Sequence, residues 1–190
     1  MLSLIHGTWK LLFSRPKINV LVLGLDHSGK STLLEKIKSI FGAKNRLSLE
    51  LIQPTVGFNF TKITFEGIKL SFWDISGQLK MRGTWDRYYN ESSIVIFVID
   101  SVDRSRFEEA KFAYHSIIYH NQWNPDTPII IFANKQDIPN AFSISDIAAN
   151  FDDENILTLP HKPIKVIPVS AITGEGVYDA IINVVELARR

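Results

Sequence analysis

The residues with the clearest chemistry form one short run. Gly24-Leu25-Asp26-His27-Ser28-Gly29-Lys30-Ser31 fits the spacing G-x-x-x-x-G-K-[ST]. Glycines let such a backbone turn until successive N–H groups face one anion-sized hollow. A helix starting near Ser31 adds the positive end of its dipole. Lys30 supplies a point charge for phosphate oxygens, and the Ser31 hydroxyl suits a Mg²⁺ ion. The candidate cradle is therefore Gly24, Asp26, His27, Ser28, Gly29, Lys30, Ser31 and Thr32. The plainer alternative is a glycine turn beside a stray lysine. His27 reads as a solvent-facing loop residue, not a catalytic one.

Further motifs give this cradle its partners. Trp73-Asp74-Ile75-Ser76-Gly77-Gln78 ends an apolar run. Asp74 can hold the water shell of a metal, Gly77 can bring an N–H to a terminal phosphate, and Gln78 can orient an attacking water. Alone, Asp-x-x-Gly is also a simple turn. Asn134-Lys135-Gln136-Asp137 follows the run IIIFA. The Asp137 carboxylate can accept from guanine N1 and its 2-amino group, a donor pair that adenine lacks. The Lys135 stem can lie over a purine face, and Asn134 can tie its loop to the cradle. By itself this run is equally a polar turn ahead of a helix. Ser170 and Ala171 are small enough to let backbone N–H groups approach a base oxygen, although a small-residue turn has the same composition. Thr55, in Pro54-Thr55-Val56-Gly57, could put its hydroxyl on Mg²⁺ when a γ-phosphate is present.

These residues need rigid elements behind them. Ile18–Leu23, Ile94–Ile99, Ile129–Phe132 and Lys165–Val169 read as strands. Phe58–Glu66 and Ile68–Trp73 read as a hairpin turning at Gly67. Helical spacing marks Ser31–Phe41, Ser105–Asn121, Ser145–Phe151 and Val177–Ala188. The alternation predicts an α/β fold. Its sheet has six strands, mostly parallel with one antiparallel edge strand, and helices cover both faces. Ligands of such sheets sit beyond the carboxyl ends of the strands, where the motifs above fall. With 190 residues, the chain is expected to hold one such domain over 17–190, preceded by an N-terminal helix and linker over 1–16.

In order and detail these motifs resemble the small GTPases, specifically the Arf family and, within its Arf-like set, the Arf-related subgroup. The resemblance rests on GLDHSGKS, PTVGFNF, FWDISGQ, the run Ile99–Arg106, NKQD and SAITGEG, and spans nearly the whole chain. It implies a P-loop NTPase fold, GTP/GDP and Mg²⁺ as cofactors, Ser31 and Thr55 as metal ligands and Asp74 acting through a metal-bound water. It further implies Gln78 as the catalytic residue. Phe58, Trp73 and Tyr88 match an aromatic triad read by partners, namely an exchange factor, an activating protein and effectors. Three aromatics are also ordinary core residues. The family couples nucleotide exchange to a register shift of the hairpin, which displaces the N-terminal helix. Three departures stand out. Ser76 occupies a position where the family pattern has glycine, His27 and Ser28 replace small residues, and the segment from Lys30 to Thr55 is longer.

Composition closes other routes. Lys plus Arg is 21 and Asp plus Glu is 20, so no strong field favours nucleic acid. Apolar runs reach only about six residues, short of a membrane span. There is no cysteine, so neither prenylation nor palmitoylation is open, and Leu2 excludes glycine-dependent myristoylation. Leu2, Ile5, Trp9, Leu12 and Phe13 recur at helical spacing, an amphipathic stripe over residues 2–13. It could lie on a membrane surface, with a receptor, or pack on its own domain. The expected activity is that of a cytoplasmic, monomeric GTP switch. It would hydrolyse GTP slowly and act reversibly on Golgi or trans-Golgi membranes in vesicle traffic. A module that holds GTP with negligible hydrolysis is the alternative, and an ATP-using P-loop kinase a third reading that NKQD disfavours.

Overall fold

The computed structural model describes residues 16–43, 47–48, 51–152 and 164–189. The amphipathic stripe over 2–13 lies outside them. The elements run β1 (Lys17–Leu23), α1 (Lys30–Ile40), β2 (Phe58–Phe65), β3 (Ile68–Ile75), α2 (Leu79–Arg82), β4 (Ile94–Asp100), α3 (Phe107–Ile118), β5 (Ile129–Asn134), α4 (Ile144–Phe151), β6 (Lys165–Pro168) and α5 (Val177–Leu187). A 3₁₀ helix spans Trp85–Glu91 and another spans Arg104–Arg106.

The six strands form one sheet in the order β2-β3-β1-β4-β5-β6. All neighbours are parallel except β2 and β3, which pair antiparallel from Phe58↔Ile75 to Phe65↔Ile68. The central strands are buried on both faces because their side chains alternate between two cores. Val20, Val22, Ile94, Ile96 and Val98 face Leu33, Leu34 and Ile37 of α1 and Val177, Ile181 and Val184 of α5. Leu21, Leu23, Val95, Phe97 and Ile99 face Phe107, Tyr114 and Ile117 of α3 and Ile147 and Phe151 of α4. Each fully buried aliphatic or aromatic side chain contributes about 1.5–3 kcal/mol by leaving water. The strand ends above this frame are therefore held firmly.

The sequence expectation of a continuous helix over Ser105–Asn121 needs correction. A 3₁₀ turn capped by Asp103, whose carboxylate accepts from Arg106 N–H, comes first. The α-helix proper then begins at Phe107 and ends at Ile118. The two short helices after β3 carry too few turns to show a period, and the sequence reading did not foresee them. Among the described residues no helix is long and apolar enough to cross a membrane.

Candidate active site

A cleft of about 500 Å³ opens beyond the carboxyl ends of β1 and β3. Asp26, His27, Gly29, Lys30, Ser31 and Thr32 line it on one side. Thr55, Ser76, Gly77, Gln78 and Lys135 line the others. The run between β1 and α1 adopts the turn its glycines permit. Gly29 lies at φ 89°, and a Cβ there would meet the Asn134 amide. His27 also takes a left-handed φ of 64° and stays exposed, as the sequence suggested.

Lys30 is buried at the base of the cleft. Its ammonium donates to the carbonyls of Gly24 (3.0 Å) and Leu25 (2.7 Å). Burial lowers its pKa to about 8, and the charges of Asp74 and Asp26 oppose that shift. The cation is thus held inside the turn at a cost that an anionic ligand would offset.

Three segments meet beside it. The Ser31 hydroxyl donates to Asp74 Oδ2 at 2.6 Å. The Thr55 hydroxyl lies 2.9 Å from Ser31 Oγ and 3.2 Å from the same Asp74 oxygen. Burial raises the Asp74 pKa, against the Ser31 hydrogen bond, the Lys30 charge and the Thr55 hydrogen bond. Asp74 Oδ1 is buried without a hydrogen-bond partner. Hydroxyls, one carboxylate and an unpartnered acceptor fit a small divalent cation that keeps water in its shell. Among the described residues no cluster of three His, Asp or Glu offers a richer site.

The Ser76–Gln78 segment, which the resemblance makes the second switch, docks directly on this loop. Asp26 N–H donates to the Gly77 carbonyl at 3.2 Å. A Cβ on Gly77 would collide with the backbone of Gly24, Leu25 and Asp26, so only glycine allows this approach. Gln78 follows, half-buried at the cleft wall. Ser76, at the position where the family pattern has glycine, is itself buried. Its N–H donates to the Gly57 carbonyl (2.9 Å), and its own carbonyl accepts from the Trp85 indole (3.1 Å). Its hydroxyl lies 3.5 Å from Gln78 N.

On the far side, Asn134 ties the loops together as anticipated. Its amide donates to the Ser28 carbonyl (2.8 Å) and accepts from Ala171 N–H (2.9 Å). Lys135 reaches the cleft with its ammonium on Asp100 (2.6 Å), leaving its stem along the wall. Asp137 stands exposed just beyond. Ser170 N–H is taken by the Glu175 carbonyl (3.0 Å) and Ala171 N–H by Asn134, so both brace the loop.

Sequence reasoning missed Arg82, Arg106 and Glu109. Arg106 donates to the Asp26 carbonyl (3.0 Å) and carboxylate (2.7 Å), and Arg82 donates to the Gly77 carbonyl (2.9 Å). Arg106 and Glu109 are three residues apart, but their partners Asp26 and Arg82 lie 80 and 27 residues away along the chain, where spacing does not reveal them. The run Asp103-Arg104-Ser105-Arg106 was the one visible signal. The aromatic triad does assemble at the surface. The Tyr88 ring centroid is 5.9 Å from Trp73 and 6.4 Å from Phe58, and Phe58 remains 58% exposed.

Comparison with known proteins agrees with this geometry. The ADP-ribosylation factor family profile matches residues 5–187. The ADP-ribosylation factor-related protein 1 of human and of rat are each 36% identical over 182 residues, covering 95% of this chain and 90% of theirs. ADP-ribosylation factor-like protein 3 of Saccharomyces cerevisiae is 36% identical over 184 residues, with the same coverage of 95% and 90%. The Arl6 BBS3 small GTPase from Trypanosoma brucei, solved with the nucleotide analogue GppNp, superposes with a TM-score of 0.77 at 27% identity. That match covers 92% of this chain and 98% of the other. The phosphate loop, the docked second switch and the six-stranded frame are thus those of a chain that belongs to the ADP-ribosylation factor family of small GTPases.

Proposed function

We propose that this GTPase is a slow, reversible membrane switch that recruits effectors in vesicle traffic, with Golgi membranes as its site of action. The observation that carries the switch reading is the meeting of Ser31, Thr55 and Asp74. Thr55 belongs to the first switch segment and Asp74 leads into the second, so one small site touches both. A ligand that binds or leaves there favours one arrangement of both segments, as a two-state switch requires.

As a member of the family the chain binds GTP or GDP with Mg²⁺. The cation, when bound, spreads charge away from the β- and γ-phosphate oxygens. The remaining work falls to the chain. N–H groups of the phosphate loop and Lys30 hold the phosphates. Ser31 and Thr55 present hydroxyls to the cation, and Asp74 acts on it through water. Gly77 brings its backbone to the terminal phosphate, and Gln78 orients the attacking water. Asp137 reads guanine, Lys135 covers its face, and Asn134 with Ser170 and Ala171 keeps that subsite fixed to the cradle.

Effector recruitment is supported by the surface cluster of Phe58, Trp73 and Tyr88, flanked by Val56 and Phe60, which are 87% and 46% exposed. Membrane attachment is supported by the apolar stripe of residues 2–13, in a chain with no cysteine to lipidate. The Golgi assignment rests on the resemblance to the Arf-related subgroup. Tagged wild-type protein and a Gln78→Leu variant are imaged in cells and used to capture proteins from a membrane extract. The reading expects Golgi labelling that is stronger for the variant, and partners retained with GTP but not GDP. Diffuse labelling of both, with nucleotide-independent capture, contradicts it.

A further inference from the structure

Four charged side chains from three segments converge behind Gly77. Glu109 of α3 accepts from Arg82 at 2.7 Å and from Arg106 at 2.7 and 3.2 Å, so one carboxylate bridges two guanidinium groups. Arg106 continues to the carbonyl and carboxylate of Asp26 in the phosphate loop. Arg82 also approaches that carboxylate, its Nη2 lying 3.6 Å from Asp26 Oδ1. Its Nε donates to the Gly77 carbonyl at 2.9 Å, and that same oxygen also accepts from Asp26 N–H at 3.2 Å. The Arg82 side chain is only 12% exposed, unlike the usual surface ion pair.

The Gly77 carbonyl belongs to the planar peptide that ends in the Gln78 nitrogen. Holding that oxygen with two donors fixes the plane and with it the place where Gln78 Cα begins. We propose that Arg82 is a positioning residue. Braced by Glu109 and Arg106, its guanidinium pins the Gly77–Gln78 peptide onto the phosphate loop and so sets where Gln78 stands. The inference rests on the reading of Gln78 as the residue that orients the attacking water. Hydrolysis by positioning is sensitive to such support, since a displacement of about 1 Å can cost on the order of a hundredfold in rate.

The chemistry of the brace is consistent with a fixed device. Hydrogen bonds from Arg106 and then Arg82 hold the Glu109 carboxyl down at about 2. Burial would raise the Asp26 carboxyl, but the Arg106 hydrogen bond and charge outweigh it and leave it below its usual value. Both carboxylates are therefore charged at neutral pH, and each faces an arginine. Lysine cannot replace Arg82 here. One ammonium cannot present the fork that reaches the Gly77 carbonyl and Glu109 together.

The test compares single-turnover GTP hydrolysis with release of GDP, both with Mg²⁺. The proteins are wild type, Arg82→Ala, Arg82→Lys, Glu109→Gln, the double variant Arg82→Ala/Glu109→Gln, Gln78→Leu, and Glu108→Ala as an exposed control on the same helix as Glu109. Arg82→Ala and Arg82→Lys should each slow hydrolysis about tenfold or more while GDP release stays within about twofold. Glu109→Gln keeps its shape but loses its charge and should slow hydrolysis about threefold. The double variant should be no slower than Arg82→Ala, because both changes remove one device. Glu108→Ala should match wild type. If Arg82→Ala fails to fold, the lysine variant and Glu109→Gln carry the test. Hydrolysis unchanged in these variants overturns the proposal, as does GDP release that changes as much as hydrolysis. A Gln78→Leu variant that hydrolyses as fast as wild type overturns the role of Gln78 and the proposal with it. A normal Gln78 dependence with an inert Arg82 overturns the proposal alone.

Discussion

The Ser31 hydroxyl lies 2.6 Å from Oδ2 of Asp74, although 43 residues separate them. That contact joins the start of α1 to the end of β3, two elements that meet only because β1 and β3 are neighbours in the sheet. Thr55 closes on both, and the Asp74 oxygen left over is buried and unpartnered. Ser31→Ala and Asp74→Ala should therefore accelerate nucleotide release and abolish its dependence on Mg²⁺. Chelation should accelerate release from wild type by about tenfold or more and leave both variants little changed. Nucleotide release followed by fluorescence, with and without chelator, checks this.

Asn134 makes two hydrogen bonds that hold together the phosphate loop and the loop after β6. Both lie in the buried interior, and removal of the amide leaves the Ser28 carbonyl and Ala171 N–H unpaired. Asn134→Ala should lose about 2–4 kcal/mol of stability. GDP should also be released faster, because the base subsite no longer keeps its distance from the cradle. Thermal unfolding with and without GDP, beside a release measurement, reads both effects.

Gly77→Ala separates the two ends of the site. Its Cβ would meet backbone, which cannot swing aside, so the second switch must lift from the phosphate loop. Hydrolysis should fall about a hundredfold while GDP binding changes little, because the contacts of the cradle and base loops survive. Equal loss of both would place Gly77 among the residues that hold the whole site together.

Glu109 gives a pH signature. Its carboxyl is held at about 2 against an ordinary 4.5, by hydrogen bonds from Arg106 and Arg82. A depressed carboxylate stabilises the folded state above its unfolded value, and the effect is lost as pH falls from about 4.5 toward 2. Glu109→Gln should thus melt below wild type near neutral pH, and the difference should shrink through that window. Melting temperatures of the pair across an acid series measure it. A difference independent of pH would mean that the charge of Glu109 contributes nothing.

How much of this was legible in the sequence depends on distance along the chain. Gly24 to Ser31 is a contiguous pattern, and the structure folds it as a turn that leads into α1 with Lys30 buried at its base. The apolar runs of β4 and β5 suit strands covered on both faces, and both strands lie inside the sheet. Asn134 was expected to tie its loop to the cradle, and its amide reaches Ser28. The brace behind Gly77 was not legible, because Arg82 and Glu109 are 27 residues apart and Arg106 and Asp26 are 80 apart. No periodicity connects such pairs, and only the packing of α3 beside the phosphate loop does. The N–H groups of Ser170 and Ala171 were assigned to a base oxygen because small residues permit approach. Composition could not show that Glu175 and Asn134 already accept from them.

The most direct test of the account is single-turnover GTP hydrolysis by wild type and Gln78→Leu, measured with Mg²⁺ alongside GTP and GDP affinity. The account predicts slow but measurable hydrolysis by wild type, and at least about tenfold slower hydrolysis by the variant with affinities unchanged. Equal rates for the two proteins, or no hydrolysis by wild type, would contradict it.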